Sequence, residues 1–196
     1  LESNPLLGRE VYSQVIEEVL APYWRDYADH RDNFIPAFLA NDILRLWRTF
    51  CVNYEARTER EPEEKKKKGK VKNYKLKHSR LLTCYSALLY LLAVYNRNKT
   101  VKPDDVVLMT GLTPTQRLEW LCEQDDCKTA HQAINELLSL YDNFLSTIEN
   151  SQELAEKLMD PVEGKQYAES TYKFGDKVFQ VLNLFGESRF HRLLVV

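Results

Sequence analysis

The stretch "LLTCYSALLYLLAVY" at 81–95 is apolar on every side of a helix, broken only by Thr83 and Ser86. A helix of that kind has to be covered all round. At fifteen residues it falls short of the roughly 18–20 needed to cross a bilayer, so it is expected to be a core helix, with no membrane partner. Elsewhere the apolar spacing is helical, only six Gly punctuate the chain, and no segment alternates like a strand. The expected fold is all-α: a bundle of about six to eight helices, with two long central helices joined by a charged flexible loop. At 196 residues the chain can bury a sizeable core as one helical domain, 1–196, without disulfides or metal.

Helix signals place the elements. A first helical region over Arg9–Asp29 should bend or restart at Pro22. A second should run from near Pro36 to Arg57, burying Leu39, Ile43, Leu46, Trp47, Phe50 and Tyr54. Residues 58–70, "TEREPEEKKKKGK", carry Pro62, Gly69 and a block of acids followed by a block of bases, and are expected to form the flexible loop. A third helix is expected over Val71–Tyr95. Pro103 and Gly111 bracket a short one, and Thr113, Pro114 and Gln116 form a capping-box signature for the next. Lys128–Glu149 reads as an amphipathic helix. A last long helix opens at "DPVE", with Asp160 as cap and Tyr167, Thr171, Phe174, Val178, Val181 and Phe185 on its buried face.

Charge is concentrated. Residues 55–80 hold eleven Lys or Arg against five acids, while the whole chain carries a formal charge of −2. A basic patch on an acidic body attracts anions locally but is not the footprint of a general nucleic-acid binder. Lys65 to Lys68 belong to the expected loop and read as a solubilising run. Asn73, Lys77 and Arg80 fall on an ordered helix beside core positions, and Asn41, Arg45 and Arg48 share the polar side of the second helix. An Arg offers a bidentate fork and a Lys a point charge to phosphate when their positions are fixed. A solvated flank is the competing reading for both groups, and Asp42 is spaced to neutralise Arg45.

No catalytic signature accompanies these charges: the chain lacks G-x-S-x-G, H-E-x-x-H and a P-loop. Cys122, Cys127 and His131 give C-x4-C-x3-H, whose close pair is wider than the usual zinc C-x2-C and lacks a fourth ligand. Arg25 and His30 have the R-x4-H spacing of the HEPN ribonuclease motif, but Pro22 and Pro36 crowd the helix it would need. His78 lies with Tyr74, Leu81 and Tyr85 and is expected to be a hydrogen-bonded core histidine.

Three segments, "PYWRDY" at 22–27, "NDILRLWRTFCVNYEA" at 41–56 and "KNYKLKHSRLLTCYSALLYLL" at 72–92, together resemble the helical region that follows the catalytic domain in a group of bacterial polymerase-β-type nucleotidyltransferase-like proteins. Members of that superfamily carry a Gly-Ser turn and a D-x-D motif whose carboxylates hold two Mg²⁺ ions against a nucleotide triphosphate. Neither motif occurs in this sequence. The resemblance therefore implies an accessory, substrate-binding role: a C-terminal, cytoplasmic piece of a longer protein, closing the nucleotide cleft or docking on an upstream catalytic domain. That expectation also fits a start without Met. Mg²⁺ and the triphosphate would belong to the parent protein, and this chain would bring no cofactor and no catalytic residue. Asn41, Arg45, Arg48, Asn73, Lys77 and Arg80 are the residues expected to meet phosphates or the catalytic domain. The alternative is an independent helical module that binds an acidic protein or RNA through the basic 70–80 region.

Overall fold

A computed structural model describes residues 1, 3, 5–58 and 63–186. Among them the fold is all-α with no strand. Helix α1 spans Arg9–Leu20 and gives way to 3-10 turns at Ala21–Trp24 and Tyr27–Asp29. Pro22 sits at the start of the first of these turns, which explains the change of helix type: it removes a donor and fixes φ. Helix α2, Ala37–Thr58, follows, with the Pro36 carbonyl accepting from Ala40 N (3.0 Å).

The basic region departs from expectation. Helix α3 covers Glu63–Lys75, so residues 63–70 are helical where a loop was expected, and 59–62 lie outside the described residues. The reason is local. "EEKKKK" is built from strong helix formers, with acids leading and bases following, as the helix dipole prefers. From α3 the chain runs without a break through a π turn, Leu76–Arg80, into α4, Leu81–Asn98. The π turn was not legible in the sequence. Its wider i→i+5 bonding inserts a residue and rotates the faces that follow, so Leu76 and His78 are both buried within one turn.

Helix α4 is the axis of the molecule, buried from Leu82 through Tyr95 except for the half-buried Tyr85. Around it pack α2, α5 (Pro103–Gly111), α6 (Pro114–Cys122) and α9 (Glu163–Leu184), while α7 (Lys128–Ile148) joins α6 to α9 and α8 (Ser151–Lys157) abuts α3. The capping box is present: Gln116 N donates to Thr113 Oγ1 (3.2 Å) and Thr113 N to Gln116 Oε1 (2.8 Å). Asp160 Oδ1 accepts from Val162 N and Glu163 N, both at 2.8 Å, and so closes the start of α9. Helix α8, capped by Asn150, was missed because seven residues are too few to show a period.

One charge lies in the core. Arg117 is 1% exposed and has no carboxylate partner among the described residues. Its Nε donates to the Met109 carbonyl (2.9 Å), and its Nη1 to the Thr83 carbonyl (3.3 Å) and to Ser86 Oγ (3.4 Å). Those bonds tie α6 to α5 and α4. Burial pulls its pKa down to about 10, so it stays protonated at neutral pH.

Candidate functional site: a basic groove between helix α3 and helix α9

The polar side chains that the sequence singles out separate into three groups. On α2, Asn41, Arg45 and Arg48 are exposed and fall on the side opposite Ile43, Trp47 and Phe50, away from the bundle. Arg45 Nη1 pairs with Asp42 Oδ1 (2.9 Å), and Asp42 Oδ2 accepts from the Tyr23 hydroxyl (2.8 Å). Burial and this carboxylate push the Tyr23 phenol up. Arg48 has no such partner among the described residues. Arg80 leaves the groove because the π turn carries it round: its guanidinium lies 5.1 Å from the centre of the Phe50 ring.

Asn73 and Lys77 are the pair the structure brings together. They line a groove of about 240 Å³ with Lys70, Tyr74, Leu158, Gly164, Tyr167, Ala168, Thr171 and Tyr172. Helix α3 and the π turn supply one wall, and the first turns of α9 supply the other. Lys70 Nζ donates to the Leu158 carbonyl (2.8 Å), which fixes its ammonium at the groove's end. Lys77 Nζ lies 5.5 Å from the centre of the exposed Tyr172 ring, a cation–π contact that restrains a side chain otherwise free to rotate. Asn73 is half-buried.

The floor is aromatic. Tyr74 is buried and meets Tyr167 edge-on, 5.6 Å between centroids at 86°. Burial raises the Tyr74 phenol, with hydrogen bonds to Ser170 and Thr147 opposing. Beneath it His78 donates from Nδ1 to the Tyr74 carbonyl (2.8 Å) and packs among Phe144 and Phe174. Desolvation drops its pKa from 6.5 to about 4. His78 is therefore a neutral supporting group under the groove, the hydrogen-bonded core histidine expected from its helical position.

Close approach at the rim depends on Gly164. A Cβ there would stand 2.8 Å from the Leu158 carbonyl oxygen, the same oxygen that holds Lys70. None of the ten lining residues is acidic, although the chain as a whole is net negative. The groove can thus hold a small anion with two ammonium groups, an amide and tyrosine edges.

Lys70, Tyr167, Tyr172 and Gly164 were not singled out as site residues from sequence. Lys70 was hidden in the charge run. Tyr172, one position off the buried stripe of α9, was the available signal, since a large aromatic there must be exposed. Arg25 and His30 are both exposed and line a separate groove of about 590 Å³ with Pro22, Tyr23, Asn33 and Phe38. Two 3-10 turns carry this segment, so the pair does not share the helix that its motif requires. Cys127 is buried and its thiol is pushed up to about 11; among the described residues no cluster of His, Cys, Asp or Glu could hold a metal ion. No described helix is long and apolar enough to cross a membrane.

No family model matches the chain, and neither the curated proteins nor the solved structures contain a match to it.

Proposed function

We propose that this chain is a non-catalytic accessory domain that holds the phosphates of a nucleotide for a nucleotidyltransferase-like domain of the same protein. One observation carries the reading: the groove at Lys70, Asn73 and Lys77 gathers fixed positive charge with no acid among the described residues that line it. Lys and amide groups held in place are what phosphate recognition uses. The resemblance of segments 22–27, 41–56 and 72–92 supplies the reaction class, and the groove supplies a place for the anion. On this reading Mg²⁺ is brought with the nucleotide by the catalytic domain, whose D-x-D carboxylates would hold it.

The test is calorimetric titration of the chain with inorganic pyrophosphate, in parallel with a single-stranded RNA of about ten nucleotides, a length within the range one binding module covers. Saturable pyrophosphate binding that Lys77→Ala abolishes supports the proposal. Tight RNA binding with no pyrophosphate binding would replace it with the independent RNA-binding module. The accessory role is checked separately in the coding sequence upstream of Leu1. A Gly-Ser followed by D-x-D there supports the role, and the absence of both sinks it.

A further inference from the structure

A second groove lies against the basic one. It measures about 390 Å³ and is lined by Asn143, Ser146, Thr147, Asn150, Glu153, Leu154 and Lys157, with Tyr167 shared between the two. Charge changes sharply across that shared ring. On the α3 side stand two ammonium groups and no acid. On the far side the only acid, Glu153, is matched by Lys157 at 2.6 Å and accepts from Asn150 Nδ2 at 3.0 Å, so the groove is neutral in sum.

Hydrogen-bonding capacity is nevertheless high there. The hydroxyls of Ser146 and Thr147 donate to the Asp142 and Asn143 carbonyls (3.1 and 2.7 Å); Ser146 keeps its lone pairs as acceptors, while Thr147 is also engaged by the Tyr74 phenol. Asn143 is exposed and can offer both an amide donor and an acceptor. Leu154 is buried and supplies an apolar patch, and Tyr167 supplies an aromatic wall.

Size decides how the two halves relate. Small-molecule sites run from roughly 300 to 1,000 Å³. At about 240 Å³ the basic groove suits a pyrophosphate but is too small for a whole nucleotide. We propose that the two grooves form one extended nucleotide site, with the phosphates at Lys77 and Asn73 and the nucleoside across Tyr167 against Asn143, Ser146 and Thr147. This inference rests on the phosphate reading above and adds where the uncharged half of the ligand lies. The ring of Tyr167 is the hinge of the arrangement, because it is the residue that both halves touch.

Two probes separate the outcomes: pyrophosphate and ATP, each titrated into the whole chain. Joining two weakly held groups turns the second contact into an intramolecular one, so ATP is expected to bind at least about tenfold more tightly than pyrophosphate. Asn143→Ala, an exposed position outside the basic groove, should bring ATP back toward the pyrophosphate affinity while leaving pyrophosphate itself unchanged. ATP binding no better than pyrophosphate, or equally well to Asn143→Ala and wild type, overturns the extended site and leaves the phosphate reading standing. Failure of pyrophosphate and ATP alike removes both.

Discussion

The imidazole of His78 lies parallel to the ring of Phe144, 4.6 Å between centroids and 5° between planes, directly beneath the tyrosine floor of the basic groove. A neutral ring stacks there at little cost, whereas an imidazolium would be a buried charge among aromatics. Desolvation, with a smaller push from Lys77 and an opposing pull from the Tyr74 carbonyl, lowers its pKa from 6.5 to about 4. The unfolded chain takes up this proton near pH 6.5 and the folded chain only near pH 4. The contribution is thus complete above pH 6.5 and is lost as pH falls through that window. At pH 4.5 the loss is on the order of 2 kcal/mol. Urea unfolding of wild type and His78→Phe at pH 7 and pH 4.5 checks it. The variant should lose less stability on acidification by about that amount, and equal losses would mean that His78 is not held neutral.

Arg117 should behave as a structural donor. Arg117→Ala removes one of the donors to each of the Met109 and Thr83 carbonyls, which keep Leu112 N and Ser86 Oγ, and opens a cavity beside α4, which should cost about 3 kcal/mol or more. Arg117→Lys should not restore stability, because an ammonium cannot reproduce the fork that spans both carbonyls. Urea midpoints for the three proteins decide the matter, and a wild-type midpoint for the lysine variant would contradict it.

Replacing a helical glycine by alanine usually gains roughly 0.5–1 kcal/mol. At Gly164 the sign should reverse. The new methyl would meet a backbone oxygen at 2.8 Å, and backbone yields less readily than a side chain, so a loss of about 1–3 kcal/mol is expected. Thermal unfolding of Gly164→Ala tests this; a rise in Tm would show that α9 moves freely from Leu158.

Arg45 and Arg48 provide the contrast to Lys77. They point away from the bundle, and the Arg45–Asp42 pair is solvent-exposed, so Arg45→Ala and Arg48→Ala should change stability by no more than about 0.5 kcal/mol. Neither should alter pyrophosphate affinity. An equal loss of affinity in Arg48→Ala and Lys77→Ala would move the site to α2.

What the sequence revealed follows from which signals are local. The apolar run at 81–95 announced α4 as a core helix, and Thr113–Gln116 and Asp160 announced their helix starts, because caps and periods are written in neighbouring residues; that α4 is the axis was not legible. The helical state of residues 63–70 was obscured by a charge run that serves helix and loop alike. Asn73 and Lys77 could be placed together from spacing, since both precede the end of the π turn. Arg80 could not be separated from them, because no sequence signal marks the extra residue that rotates it toward Phe50. The opposite wall of the groove comes from α9, about ninety residues away, and such pairing depends on packing around α4, which no local pattern encodes.

The central claim is that the groove between α3 and α9 binds phosphate, and the most direct measurement is an NMR titration of the isotopically labelled chain with pyrophosphate. Saturable shifts confined to the amides of Lys70–Lys77 and Gly164–Tyr172, with a Kd below about 1 mM, are expected, together with their disappearance in Lys77→Ala. Shifts that stay linear with pyrophosphate, or that centre on Arg45 and Arg48, would contradict it.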